Sequence, residues 1–243
     1  MTKLDINSKN NELINYYSKL IDYKNKYLNQ YPDDYYSLAL FCINEKNNIK
    51  DGLKILKEGE KFGCLNSLMY LGSLYYEGLM VKIDKEKAVR YYEKAALLDN
   101  ESCIDFVSHC YLTEIVPFGN LRSLNILKKG KDLNIRNSIL CLAKYHEDPS
   151  SLNFNHELSF KYKVMCLDED NTEEVKELAL DYLRRTTSTG IYNKQMVELF
   201  KIAAKKKDLD SINILAFFYN KGNIVKKDLT KSLEYYNRAL LLG

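Results

Sequence analysis

The chain repeats itself at a fixed distance. Ser67, Tyr75, Gly78, Asp84, Tyr91, Tyr92 and Ala95 recur unchanged 144 positions later, at Ser211, Tyr219, Gly222, Asp228, Tyr235, Tyr236 and Ala239, and 144 is four periods of 36. Self-similarity with a period of 20–50 residues marks a line of small stacked units, since each alone cannot bury its apolar face. A single compact globule does not produce it.

Within one copy the spacing is helical. Ser67, Leu71, Leu74, Tyr75 and Gly78 fall at intervals of three and four, and Ala88, Tyr91, Tyr92, Ala95 and Ala96 do the same further on. Each set draws one apolar stripe on a helix. Small residues (Ser67, Gly72, Ala88, Ala95, Ala96) stand beside tyrosines, as two backbones in close approach require. Ser67 to Leu98 therefore predicts two helices folded back on each other.

These residues resemble the Sel-one-like repeat, a branch of the tetratricopeptide-like α-solenoids. Leu71-Gly72, Tyr75, Gly78, Asp84, Ala88, Tyr91-Tyr92 and Ala95-Ala96 carry the resemblance. Two copies match well and the others are degenerate. The resemblance implies an all-α fold, a right-handed α-solenoid of about six helix-turn-helix repeats plus an N-terminal helix. The expected boundaries are 33–62, 64–99, 101–134, 137–168, 171–207 and 210–243, a single array over 31–243. Residues 1–30 are expected to form a tail and a capping helix, Asn11 to Leu28, with Leu13, Tyr16, Tyr17, Leu20, Tyr23 and Tyr27 on its apolar side.

Composition agrees with a soluble helical chain. Hydrophobic residues make up 46% and charged residues 28%, while 10 glycines and 3 prolines leave little room for linkers. The amino terminus is polar and lacks an apolar core, so no secretory signal is expected, and no apolar run approaches the ~20 residues that span a bilayer. Six cysteines are scattered without a paired spacing. Cys103 and Cys110 would lie about 10 Å apart along one helix, beyond disulfide reach. Reduced, buried thiols in a cytoplasmic protein are the expectation.

No sequence pattern for catalysis is present: no phosphate-binding glycine loop, no Gly-x-Ser-x-Gly and no His-Glu-x-x-His. No enzyme activity, cofactor or metal is expected. Cys141, His146, His156 and Cys166 match none of the compact zinc spacings. Lysine runs (Lys128-Lys129, Lys205-Lys206-Lys207, Lys226-Lys227) raise an RNA-binding alternative, with tyrosines as stacking platforms. A net charge of +3 argues against it, and Tyr75, Tyr91, Tyr92, Tyr219, Tyr235 and Tyr236 fall on packing positions.

By resemblance to tetratricopeptide grooves, the first helix of each repeat lines a concave side. Its inward positions are Tyr36 and Leu40; Asn66, Met69, Ser73 and Tyr76; Ile104, Ser108 and Tyr111; Lys144; Lys176, Leu183 and Arg184; and Asn213, Phe217 and Lys221. The early part is aromatic and the later part basic. The implied function is a protein–protein interaction adaptor holding a peptide or protein segment with an apolar anchor and an acidic stretch. Tyr76, Tyr111 and Leu183 have packing against neighbouring repeats as their alternative role. The Leu-rich run Ala239 to Leu242, lacking a polar closing helix, adds an expectation of self-association through the last helix.

Overall fold

The computed structural model describes residues 33–44, 47–118, 121–148, 152–168, 171–185 and 192–242. The N-terminal helix expected over Asn11 to Leu28 lies outside the described residues. Among those described there are twelve α-helices and no strands. They fall into two compact units, Met1–Asp148 and Pro149–Gly243.

The first unit contains α1 (Asp33–Asn44), α2 (Ile49–Lys61), α3 (Leu65–Glu77), α4 (Lys85–Leu97), α5 (Glu101–Leu112), α6 (Leu121–Asp132) and α7 (Arg136–Tyr145). Helices α1/α2, α3/α4 and α5/α6 pack as hairpins, and α7 closes on α5 and α6. The second unit contains α8 (His156–Met165), α9 (Thr172–Arg185), α10 (Asn193–Lys205), α11 (Leu209–Lys221) and α12 (Leu229–Leu240). There α9/α10 and α11/α12 are the hairpins, and α10 packs on α11.

The residues shared at 144 positions' distance build the same hairpin twice. Gly78 and Gly222 end α3 and α11 at φ 76° and 74°, a left-handed turn that glycine adopts without steric penalty. The chain then returns, and the amides of Asp84 and Asp228 donate to the carbonyls of Tyr75 and Tyr219, each at 2.9 Å. Both aspartates cap the next helix, accepting from the amides of Lys87 (2.9 Å) and Lys231 (3.0 Å). Tyr75 stacks on Tyr91 at 5.8 Å, and Tyr219 stacks on Tyr235 at 5.8 Å.

Successive hairpins are joined by another recurrent turn. Gly63, Asp99, Asn134 and Lys207 all take positive φ, between 58° and 73°, just beyond a second helix. Behind three of them a 6→1 bond closes the helix end: Cys64 to Gly59, Ile135 to Gly130 and Asp208 to Ala203. At the close crossings just before these turns, Gly59 and Gly130 leave no room for a Cβ. A Cβ on Gly59 would come within 2.5 Å of Ser67 Oγ, and one on Gly130 within 2.6 Å of Ser138 Cβ. The serines at 67, 138 and 211 are fully buried for the same reason.

Candidate functional site

In unit 1 the accessible aromatic part of the candidate surface lies on α1 and α3, and the exposed Lys144 stands on α7. Tyr36 meets Tyr70 edge-on at 5.7 Å, and both rings are half-buried. Leu40 and Met69 are half-buried, Asn66 is exposed, and Ser73 Oγ donates to the Tyr70 carbonyl at 2.9 Å. Tyr76 leans on Phe106 of α5 at 5.3 Å, with the Lys85 ammonium 5.6 Å from its ring centre. Its packing role and its accessible edge thus coexist. Tyr70 escaped the sequence reading, because it falls on neither a packing stripe nor an assigned inward position, whereas Phe106 falls on a pattern position of the third repeat.

Three assigned residues are buried instead. Ile104 and Ser108 have no exposed surface, and Tyr111 keeps only 4%. Ser108 Oγ donates to the Ile104 carbonyl at 2.7 Å and lies 2.7 Å from Ser138 Oγ of α7. The close packing of α7 on α5 seals this segment, so these side chains cannot meet a partner. The Tyr111 hydroxyl donates to Glu93 Oε1 at 2.5 Å, and burial followed by that carboxylate holds the phenol above its ordinary titration range. Arg122 lies 3.6 Å from the other Glu93 oxygen. Glu93 itself carried no signal in the sequence, where it reads as one more surface charge of α4.

The basic character assigned to the later positions is partly spent within the chain. Lys144 bonds Glu114 at 2.5 Å, which holds that carboxyl below its usual range. Lys176 meets Glu173 at 2.9 Å, Asp210 at 3.5 Å and Asp208 at 3.7 Å. Leu183 packs against the unit 2 core. Arg184, Asn213 and Lys221 are exposed, and Phe217 is 45% exposed with the Lys221 ammonium 5.8 Å from its ring centre. Phe217 and Lys221 are one turn apart on α11, so both project from one face.

The buried thiols are poor nucleophiles. All six cysteines are buried, and burial raises Cys103 and Cys110 to about 11 and Cys141 to about 12. Thiolate is therefore scarce at neutral pH. Among the described residues no group of three or more His, Cys, Asp or Glu is placed to hold a metal ion. No described helix is long and apolar enough to cross a membrane. Tyr236, expected in the core, is 38% exposed, because no described helix lies where Phe106 of α5 covers its counterpart Tyr92 at 4.5 Å.

Two stretches, 65–100 and 209–243, match the Sel1 repeat. The protein carries Sel1 repeats. They coincide with the α3/α4 and α11/α12 hairpins, the pair related by 144 positions. A solved Sel1 repeat protein from Oxalobacter formigenes is 20% identical over 90% of this chain and 64% of its own, with a TM-score of 0.50. That likeness shows an all-α repeat fold. A protective antigen present in uropathogenic Escherichia coli strains, displaying an SLR fold, aligns over 93% of this chain and 48% of its own at 17% identity and a TM-score of 0.42. The chain thus spans 64% and 48% of these two structures. No curated protein matches the sequence.

Proposed function

We propose that this Sel1-repeat protein is a non-enzymatic adaptor that binds another protein through its first-helix surfaces, read in the sequence as a concave groove. Sel1 repeats generally serve as scaffolds for protein–protein contact, and both repeats here keep the full hairpin geometry. The observation that carries the reading is Phe217. It stands 144 positions after Ser73, on the same helix face, and exposes 45% of an aromatic ring that the core does not use. With Lys221 beside it and Arg184 exposed in the same unit, it suits an apolar anchor flanked by acidic residues. In unit 1 the half-buried Tyr36, Tyr70 and Tyr76 offer a second, more apolar patch.

The test is affinity capture from lysate of the source cells, with wild type beside a Tyr76→Ala, Arg184→Glu, Phe217→Ala variant. The expected result is loss of the proteins enriched by wild type, unchanged by nuclease treatment. Equal recovery from both baits overturns the reading.

A further inference from the structure

Helices α2 and α10 stand 144 positions apart, and their buried residues differ throughout: Gly52 against Met196, Leu56 against Phe200, Gly59 against Ala203. Over their 13 aligned positions the identities are all lysines: Lys50 and Lys194, Lys57 and Lys201, Lys61 and Lys205. Lys61 and Lys205 lie in the last turn, where the helix dipole favours a cation. Lys50 and Lys194 lie in the first turn, where it disfavours one. Lys57 and Lys201 follow seven positions on, along the same face. A further lysine, Lys226 in the loop after α11, repeats Lys82 in the loop after α3.

In unit 2 three of these lysines meet over a groove of about 670 Å³ between α10 and the α11–α12 loop. Lys194, Lys201 and Lys226 line it beside the Glu198 carboxylate, and Val197, Ile224 and Val225 give it an aliphatic floor. Its volume lies within the ~300–1,000 Å³ of ligand clefts. Among the described residues none of the three ammonium groups meets a carboxylate or a carbonyl. In unit 1 the corresponding Lys50, Lys57, Met80 and Lys82 are exposed although α5 and α6 continue the stack. A following repeat therefore does not cover these positions.

We propose that this groove binds an acidic peptide segment carrying an aliphatic side chain, at a site that shares no residue with the first-helix surface. The aliphatic side chain covers Val197, Ile224 and Val225, and flanking carboxylates pair with the lysines. Ammonium groups on long flexible stems suit carboxylates at variable spacing. The lining offers no aromatic ring for a base to stack on, and Glu198 repels a continuous phosphate backbone. Both features favour a peptide over a nucleic acid.

The test is calorimetric titration of the full chain with acetyl-Glu-Glu-Leu-Glu-Glu-amide, with NMR amide shifts to locate the peptide. Binding is expected, with the largest shifts at Val197, Ile224 and Val225. A Lys194→Glu, Lys201→Glu, Lys226→Glu variant is expected to bind roughly tenfold or more weakly at unchanged helicity. Serine in place of the peptide's leucine is expected to weaken binding by roughly tenfold. The Arg184→Glu, Phe217→Ala variant is expected to bind as wild type does, which separates this site from the first-helix surface. No binding at millimolar peptide, equal binding to the triple variant, shifts confined to the Phe217 face, or tighter binding of a thymidine oligonucleotide of equal charge overturns the proposal.

Discussion

The Tyr111 hydroxyl donates to Glu93 at 2.5 Å between α5 and α4, with both side chains buried. This bond joins two consecutive repeats inside the core, which makes Tyr111 a structural residue. Tyr111→Phe keeps the ring but leaves the carboxylate to Arg122 alone. It should cost about 1–3 kcal/mol in urea unfolding and leave partner capture unchanged.

Ser67 and Ser211 occupy the same position in the two best-preserved repeats, and each buries a hydroxyl that makes no hydrogen bond. A buried polar group without a partner is a cost. Ser67→Ala and Ser211→Ala should each raise stability, by up to about 1 kcal/mol, measured as a shift of the denaturant midpoint. Gly59, against which Ser67 packs, behaves oppositely. Gly59→Ala should cost about 1–3 kcal/mol, because its Cβ would press on Ser67 Oγ and Tyr35 Cβ.

The turns between hairpins give a paired test. Lys207 holds φ 70° where Gly63 holds 73°. No atom lies within 4 Å of a Cβ placed on Gly63, so a substitution there meets only the backbone penalty. Lys207→Gly should stabilise and Gly63→Lys destabilise, each by roughly 1 kcal/mol, in thermal unfolding.

Asp228 caps α12, and the Lys231 amide holds its carboxyl below the usual carboxylate range. A lowered folded value means stabilisation above the ordinary carboxylate range that is lost as pH falls through the folded value. The melting difference between wild type and Asp228→Ala should therefore be full at pH 7 and shrink below about pH 4.

Thiol reactivity reports on the core. With Cys103 and Cys110 raised to about 11 and Cys141 to about 12, and all six cysteines buried, native protein at pH 8 should react slowly with Ellman's reagent. All six should react at once in denaturant.

The hairpins were legible because their determinants are local. Gly78, Asp84, Tyr75 and Tyr91 each act within 20 residues of one another, so spacing alone recovers the turn, the cap and the ring stack. The candidate surface was less legible because it depends on what other helices cover. Ile104 and Ser108 sit at inward positions of α5, yet the approach of α7 buries them. Lys176 reads as a free cation until Asp208 and Asp210 of the next hairpin come within 4 Å. Tyr236 reads as core by analogy with Tyr92, but burial there requires a neighbouring Phe106 that α12 lacks.

The adaptor reading is tested most directly by selecting a random peptide library on the full chain and comparing the variant Arg184→Glu, Phe217→Ala. The expected outcome is enrichment of peptides that place a large apolar residue beside an acidic run, with binding lost to the variant. Enrichment of basic peptides, absence of any shared pattern, or equal binding to both proteins would contradict it.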